Sequence, residues 1–513
     1  MLLLFACAGS PPPEPTAQAV VPQPPTAERI VFEEATEKHS PAVWVDGTRH
    51  PLTYKVFAED GQEIGGAPFG QLVDINGDPI GQCNNQDFAA LIRVEGTTFH
   101  LSHVECHPGA VYLTQMDENL DPVWTRPVDF SEVRGTMINC SGDVTPWNTL
   151  LSSEEYEPDA SKYVPGEGVS DNWQGFNRIA SYFPDGLATV NPYDYGWIPE
   201  VWVLDAEGTT KVVKHYSMGR FSHELAVVTP DRKTVFLSDD GYGVGFFRFV
   251  ADTTDDLSSG TLYIARIEGE AVKWLDMGHA SNADIDVSLR FDDLFERDAE
   301  GCTTVLTQFG EECLTVKEGM EVQASRLESR RYGAMLGGTT EFSKSEGLAV
   351  DPQRNTVWLA VTTIDKGMTR GHPEWDVETA DHLKLVPNGC GAILGFHADG
   401  GDWNPDRWSV GLSGRGEGTV CDPEGIAGPD NITMLGDLVM IAEDTRLHDP
   451  NVLWAWDPDD DSLTRVVKAG GDGAEVAGIH HYPDVGWFTV TEQHGPRDAR
   501  PSKSAVLGPI PDL

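Results

Sequence analysis

Asp351-Pro352-Gln353-Arg354-Asn355-Thr356-Val357-Trp358-Leu359-Ala360-Val361 is the phrase whose reading decides the fold. Asp, Pro and Asn build a turn, and a short β-branched and aromatic run follows. The same phrase recurs. Thr229-Pro-Asp-Arg-Lys233 leads into Thr234-Val-Phe-Leu237, and Val201-Trp-Val-Leu204 precedes Asp205-Ala-Glu-Gly208. Asp437-Leu-Val-Met-Ile-Ala442 and Val452-Leu-Trp-Ala-Trp456, the latter before Asp457-Pro-Asp459, continue the series. Irregular repeats of short strands without long helices predict an all-β, β-propeller-like fold. A β-sandwich or several small β domains is the competing architecture.

Residues 282–336 break the pattern. Phe291-Asp-Asp-Leu-Phe-Glu-Arg297 and Ala324-Ser-Arg-Leu-Glu-Ser-Arg-Arg331 read as helical, with Cys302 and Cys313 between them. This predicts a helical insertion between blades.

At the N-terminus, residues 1–9 read as a truncated lipoprotein-type signal, with Leu4-Phe5-Ala6-Cys7 as the cleavage box and Cys7 as the lipidated residue. Residues 10–28, rich in Pro, Ala and Gln, read as a semi-extended linker, and 29–513 as one propeller domain. No later run has the length of a transmembrane helix. The expectation is a periplasmic or extracellular monomer, tied to a membrane only through a lipid on Cys7.

The chain has 513 residues, with 82 Asp and Glu against 36 Lys and Arg, for a net charge of −46. Such a surface disfavours nucleic acid and anionic membranes as partners. It fits calcium binding or an extracellular setting, or simply keeps the protein soluble. There are eight cysteines. Assigning Cys7 to a lipid leaves an odd number. Cys302 and Cys313 make a natural local bridge, and Cys83–Cys106 and Cys390–Cys421 are further available pairs, though sequence alone does not determine connectivity. If all three form, Cys140 is left over.

Cys140 lies in Asn139-Cys-Ser-Gly-Asp-Val-Thr-Pro-Trp-Asn-Thr149, shortly before Glu154-Glu155. A thiolate prefers soft transition metals, and carboxylates prefer hard cations such as calcium. On its own, Cys140 reads first as a buried, inert thiol. Other segments end strand-like runs with acidic or imidazole groups: His103-Val-Glu105, Arg220-Phe-Ser-His-Glu224, Lys344-Ser-Glu346, Asp422-Pro-Glu424 with Asp430 and Glu443-Asp444, then Glu475 and Glu492-Gln-His494. Propeller strands from different blades converge on one channel. Carboxylates gathered there repel each other unless cations bind between them.

These segments carry a resemblance. The block at 139–155, Gly219-Arg-Phe-Ser-His-Glu224, the block around Glu346 and the block at 473–495 occur in the order found in the PhoX alkaline phosphatase family, over roughly residues 40–500. Ser259-Gly-Thr-Leu-Tyr-Ile-Ala-Arg266 also fits. The resemblance implies a six-bladed β-propeller-like fold with two Fe3+ ions and a group of Ca2+ ions, with Cys140 bridging the irons. It implies Glu224 and Glu346 as further ligands, Glu154 and Glu155 on the calcium side, and His103 and Glu105 near the site. Glu424 and Glu475 complete the expected metal ligands. A metal-bound oxide or hydroxide would be the nucleophile of a phosphomonoesterase acting on a small phosphorylated substrate. Lys344 and Arg220 are the expected phosphate-binding residues. Two departures touch that clamp: the family's Lys two residues before Glu224 is Ser222 here, and its Arg two residues before Glu346 is Lys344. Lys keeps the charge but loses the bidentate fork. The family's Asp-Asp-Glu after the second block reads Asp239-Asp240-Gly241. The alternatives are a non-catalytic calcium-binding surface propeller and a calcium-dependent lactonase or phosphodiesterase on the same scaffold.

Overall fold

The computed structural model describes residues 30–170, 173–372, 381–417, 420–470, 473–494 and 500–511. The signal and linker expected at 1–28 lie outside the described residues. Among those described, no helix is long and apolar enough to cross a membrane.

Six antiparallel four-stranded units follow one another along the chain. Their first strands are Gln86–Val94, Gly142–Val144, His223–Val228, Ser345–Asp351, Pro429–Leu435 and Glu475–Tyr482. Each of these strands touches the next, and the last touches the first, so they form a closed ring around a central channel. We number the blades one to six in this order. The fourth strand of blade six is Thr53–Glu59, from the other end of the chain, paired antiparallel with Lys503–Gly508. That pairing closes the ring and removes the open edge that a linear array would expose. The protein is a six-bladed β-propeller.

Blade-to-blade packing explains the unbroken apolar runs in the sequence. Side chains alternate across a strand, and both faces of a blade are covered. On His223–Val228, Leu225 and Val227 pack toward Leu348 and Leu359 of blade four, while Ala226 and Val228 pack in the cluster that includes Leu151 of blade two. The other interfaces have the same composition, as with Trp358 and Ile393 against Ile441 and Trp454 between blades four and five.

Blade three carries a fifth strand, Ala271–Ser281, that meets the outer strand of blade four at Ala271 and Arg407. The insertion that follows is only partly helical. Phe291–Leu294 is a single helical turn, and the chain becomes a strand at Phe295–Arg297, where a helix was expected to continue. The β-branched Thr303–Thr307 forms a hairpin with Gly310–Val316, and this hairpin pairs with Phe295–Arg297. Two short helices follow, Glu321–Leu327 and Ser329–Met335. Disulfides join Cys83 to Cys106, Cys302 to Cys313 and Cys390 to Cys421, and Cys140 is free.

Candidate metal centre

The blade architecture repeats one local device. In blades three, four and five an acidic residue stands second in the innermost strand: Glu224, Glu346 and Asp430. Directly after each, the pairing register slips, between His223 and Ala226, Ser345 and Leu348, and Pro429 and Ile432. A bulge at this point bends the strand and re-aims its side chain, here toward the channel axis. Asp87 holds the matching place in blade one, and Glu475 opens the innermost strand of blade six, ahead of its bulge. Cys140 lies just before the inner strand of blade two. Gly347 is required by this crowding, since a methyl there would stand 2.6 Å from the Asp430 carbonyl oxygen and from the Ile432 amide.

The donor atoms form three overlapping groups, each with all members within 4.8 Å of one another: Asp87, Cys140 and Glu224; Glu105, Cys140 and Glu155; Glu224, Glu346 and Asp430. Cys140 belongs to two groups and Glu224 to two. Cys140 Sγ is 3.5 Å from Glu224 Oε1. Burial pushes the Cys140 thiol well above its ordinary pKa, and Asp87, Glu224, Glu155 and Glu105 push it further. The carboxyls respond in the same way. Burial, then Asp87, raises Glu105 to about 8. Burial is also the largest cause for Asp87 and Glu346, each at about 7. Glu155, Glu224, Asp430 and Glu475 are driven well above the carboxylate range by burial and then by neighbouring carboxylates, chiefly Asp240, Glu346 and Asp444.

Without counter-charge, this cluster must hold protons. Asp87 Oδ1, Glu224 Oε2 and Asp240 Oδ1 are buried and have no hydrogen-bond partner among the described residues. Orphaned carboxylate oxygens beside a thiol, at donor-atom spacing, fit bound cations. Glu105 is held from behind by Asn85 Nδ2 at 2.8 Å and Gln493 Nε2 at 2.7 Å, both donating to Oε2.

Lys344 supplies the positive charge at the rim. Its Nζ pairs with Asp240 and lies 3.0 Å from Glu346 Oε1 and 3.3 Å from Tyr156 Oη. Burial opposes the ammonium, but Asp240 and Glu346 outweigh it and keep Nζ charged. Its backbone is left-handed, at φ 50°, a conformation that costs a non-glycine residue energy and that clusters at functional sites.

Other expected site residues stand elsewhere. Glu154 points away from the cluster: Oε1 pairs with Lys214 Nζ at 2.7 Å, and Oε2 accepts from the Gly196 and Trp197 amides. Arg220 is buried, with its guanidinium donating to the carbonyls of Tyr195, Leu327 and Pro158, so it faces backbone rather than the channel. Glu424 is exposed at the surface and pairs with Arg465 at 2.8 Å. His103 lies 2.6 Å through Nδ1 from the Cys140 carbonyl oxygen, and burial lowers its pKa to about 4, so the neutral ring donates there and orients the cysteine loop. Glu475 faces the cluster but belongs to none of the three groups. Asp87 was missed by sequence reading altogether. Asp240, Asp430 and Asp444 stood in the noted segments without being taken as ligands. The common signal is an acidic residue at the start of an inner strand or at the end of the strand beside it.

A family model described as "Alkaline phosphatase PhoX" matches residues 123–495. No curated protein matches the chain. Among solved structures, Pseudomonas fluorescens PhoX in complex with vanadate superposes with a TM-score of 0.62 at 18% identity, covering 93% of this chain and 97% of that one. At this identity the likeness concerns the fold. A gluconolactonase from Xanthomonas campestris aligns over 94% of this chain and 98% of its own, with a TM-score of 0.36 and 10% identity, too low to carry an argument. The family match runs from the outer strand of blade one to blade six, through Cys140, Glu224, Glu346 and Asp430, and the chain belongs to the alkaline phosphatase PhoX family.

Proposed function

We propose that the protein is a metal-dependent phosphomonoesterase that works outside the cytoplasm. The observation that carries this reading is the position of Cys140, a free thiol shared by two carboxylate groups at one end of the propeller channel. The mixed thiol and carboxylate groups around Cys140 suit iron, and the all-carboxylate group of Glu224, Glu346 and Asp430 suits calcium. Three disulfides support an oxidising compartment.

Bound ions of this kind supply Lewis acidity toward the phosphoryl oxygens and a water of lowered pKa. The chain's own residues do the rest. Asp87, Cys140, Glu224, Glu105, Glu155, Glu346 and Asp430 hold the ions. Lys344 presents a fixed positive charge to a phosphate oxygen and can exchange its contact with Asp240 for one with substrate. Tyr156 Oη, beside Lys344 Nζ, orients the ammonium. Asn85 and Gln493 hold Glu105 in place, and His103 holds the loop of Cys140. Arg220 is given no part in substrate binding.

The test is hydrolysis of p-nitrophenyl phosphate by purified protein with its metals assayed. Turnover that is abolished by a chelator and restored by iron with calcium supports the reading. Bound calcium without iron or turnover would favour a binding propeller instead.

A further inference from the structure

A cleft of ≈ 370 Å³ opens beside the carboxylate cluster. Glu105 and Tyr156 form its inner wall, so it is continuous with the metal centre and, through Tyr156 Oη, with Lys344. Asn85, His107 and Arg178 also line it, and the Cys83–Cys106 bridge ties two of its segments together.

Its polar atoms point to a ligand. Asn85 is 3% exposed. Its Nδ2 donates to the Glu105 carbonyl and to Oε2, while Oδ1 has no hydrogen-bond partner. His107 Nε2 is likewise buried and unpartnered. Unsatisfied buried polar atoms are costly, and a ligand hydroxyl recovers that cost. Arg178 is exposed on the 3-10 helix Trp173–Tyr182 and carries a permanent positive charge beside an otherwise acidic centre.

We propose that this cleft receives the alcohol moiety of the phosphate ester and selects a polyhydroxylated one bearing a second anionic group. Asn85 Oδ1 and His107 Nε2 meet its hydroxyls, and Arg178 meets its second charge. This rests on the phosphomonoesterase reading and adds a substrate class to it.

The experiment compares kcat/KM of the metal-loaded full chain on fructose 1,6-bisphosphate, fructose 6-phosphate and hexyl phosphate, with p-nitrophenyl phosphate as the general substrate, for wild type, Arg178→Ala and Arg178→Lys. Wild type is expected to prefer fructose 6-phosphate to hexyl phosphate, and the bisphosphate to both. In Arg178→Ala the preference for the bisphosphate over fructose 6-phosphate falls about tenfold, mainly through KM, and Arg178→Lys restores part of it. Equal rates on hexyl phosphate and fructose 6-phosphate, or an unchanged bisphosphate preference in Arg178→Ala, would overturn this proposal alone. A metal-loaded wild type inert on p-nitrophenyl phosphate would overturn the phosphatase reading and this proposal with it.

Discussion

Lys344 Nζ stands 3.0 Å from Glu346 Oε1, two residues along the same chain. The Lys344 backbone is pinned by its amide donating to the Gly241 carbonyl and by the Thr362 amide donating to its own carbonyl. The ammonium is thus fixed at the rim of the carboxylate cluster. Lys344→Ala should lower kcat/KM on p-nitrophenyl phosphate roughly 100-fold, as loss of a preorganised charge does. Lys344→Arg should recover most of it. Steady-state kinetics checks both, and an active Lys344→Ala variant removes this residue from phosphate binding.

The metal-free protein should lose stability as pH rises. Glu105, at about 8, and Asp87 and Glu346, at about 7, titrate well above the unfolded values of roughly 4. Between those limits the folded state holds protons that the unfolded state has released, so stability present near pH 4 is lost on the way to pH 8. Metal binding needs the deprotonated donors, so the stabilisation given by metal should grow over the same range. Thermal melts at pH 5.5 and 8.5, with and without chelator, measure this. A chelated Tm that rises with pH contradicts it.

Lys214 and Glu154 form a fully buried pair, both side chains 0% exposed. Removing the cation leaves a buried carboxylate unpaired. Lys214→Met should therefore destabilise the fold by about 3–5 kcal/mol. Iron and calcium per folded molecule should not change, since Glu154 faces away from the donors. Denaturant unfolding and elemental analysis give the two readouts.

Arg330, from the insertion, reaches back under the centre. It donates to Glu157 Oε1 at 2.6 Å and to Asp239 Oδ2 at 2.9 Å, the residues that follow Tyr156 and precede Asp240. Arg330→Met alone would strand two carboxylates. The combined change Glu157→Gln, Asp239→Asn and Arg330→Met removes the clamp without leaving charges unpaired. It should fold, yet bind metal about 10- to 100-fold more weakly, as expected when groups that orient ligands are lost. Metal titration decides it.

The propeller was legible because its middle strands are covered on both faces, so phrases such as Thr356–Val361 stand out as short unbroken runs between turns. The candidate centre was legible at Cys140, where the odd cysteine count and the family block coincide, and where two of the donor groups meet. Glu154 and Glu155 could not be told apart, because adjacent side chains in extended chain face opposite ways and nothing local says which way is inward. Asp87 follows Asn84, Asn85 and Gln86 and reads as part of a turn until its strand is seen on the channel. Arg220 reads as a phosphate ligand because the carbonyls that bind it come from residues far along the chain. In the insertion, Phe295 leaves the expected helix because pairing with Gly310–Val316 outweighs local preference.

The central claim is that Cys140 joins the metal groups on which phosphatase activity depends. The most direct measurement is iron and calcium content of wild type and Cys140→Ala, taken on the same samples as p-nitrophenyl phosphate turnover and a circular dichroism spectrum. The predicted result is a folded variant that keeps calcium, loses iron and loses activity. A Cys140→Ala protein with full iron content and full turnover would contradict the account.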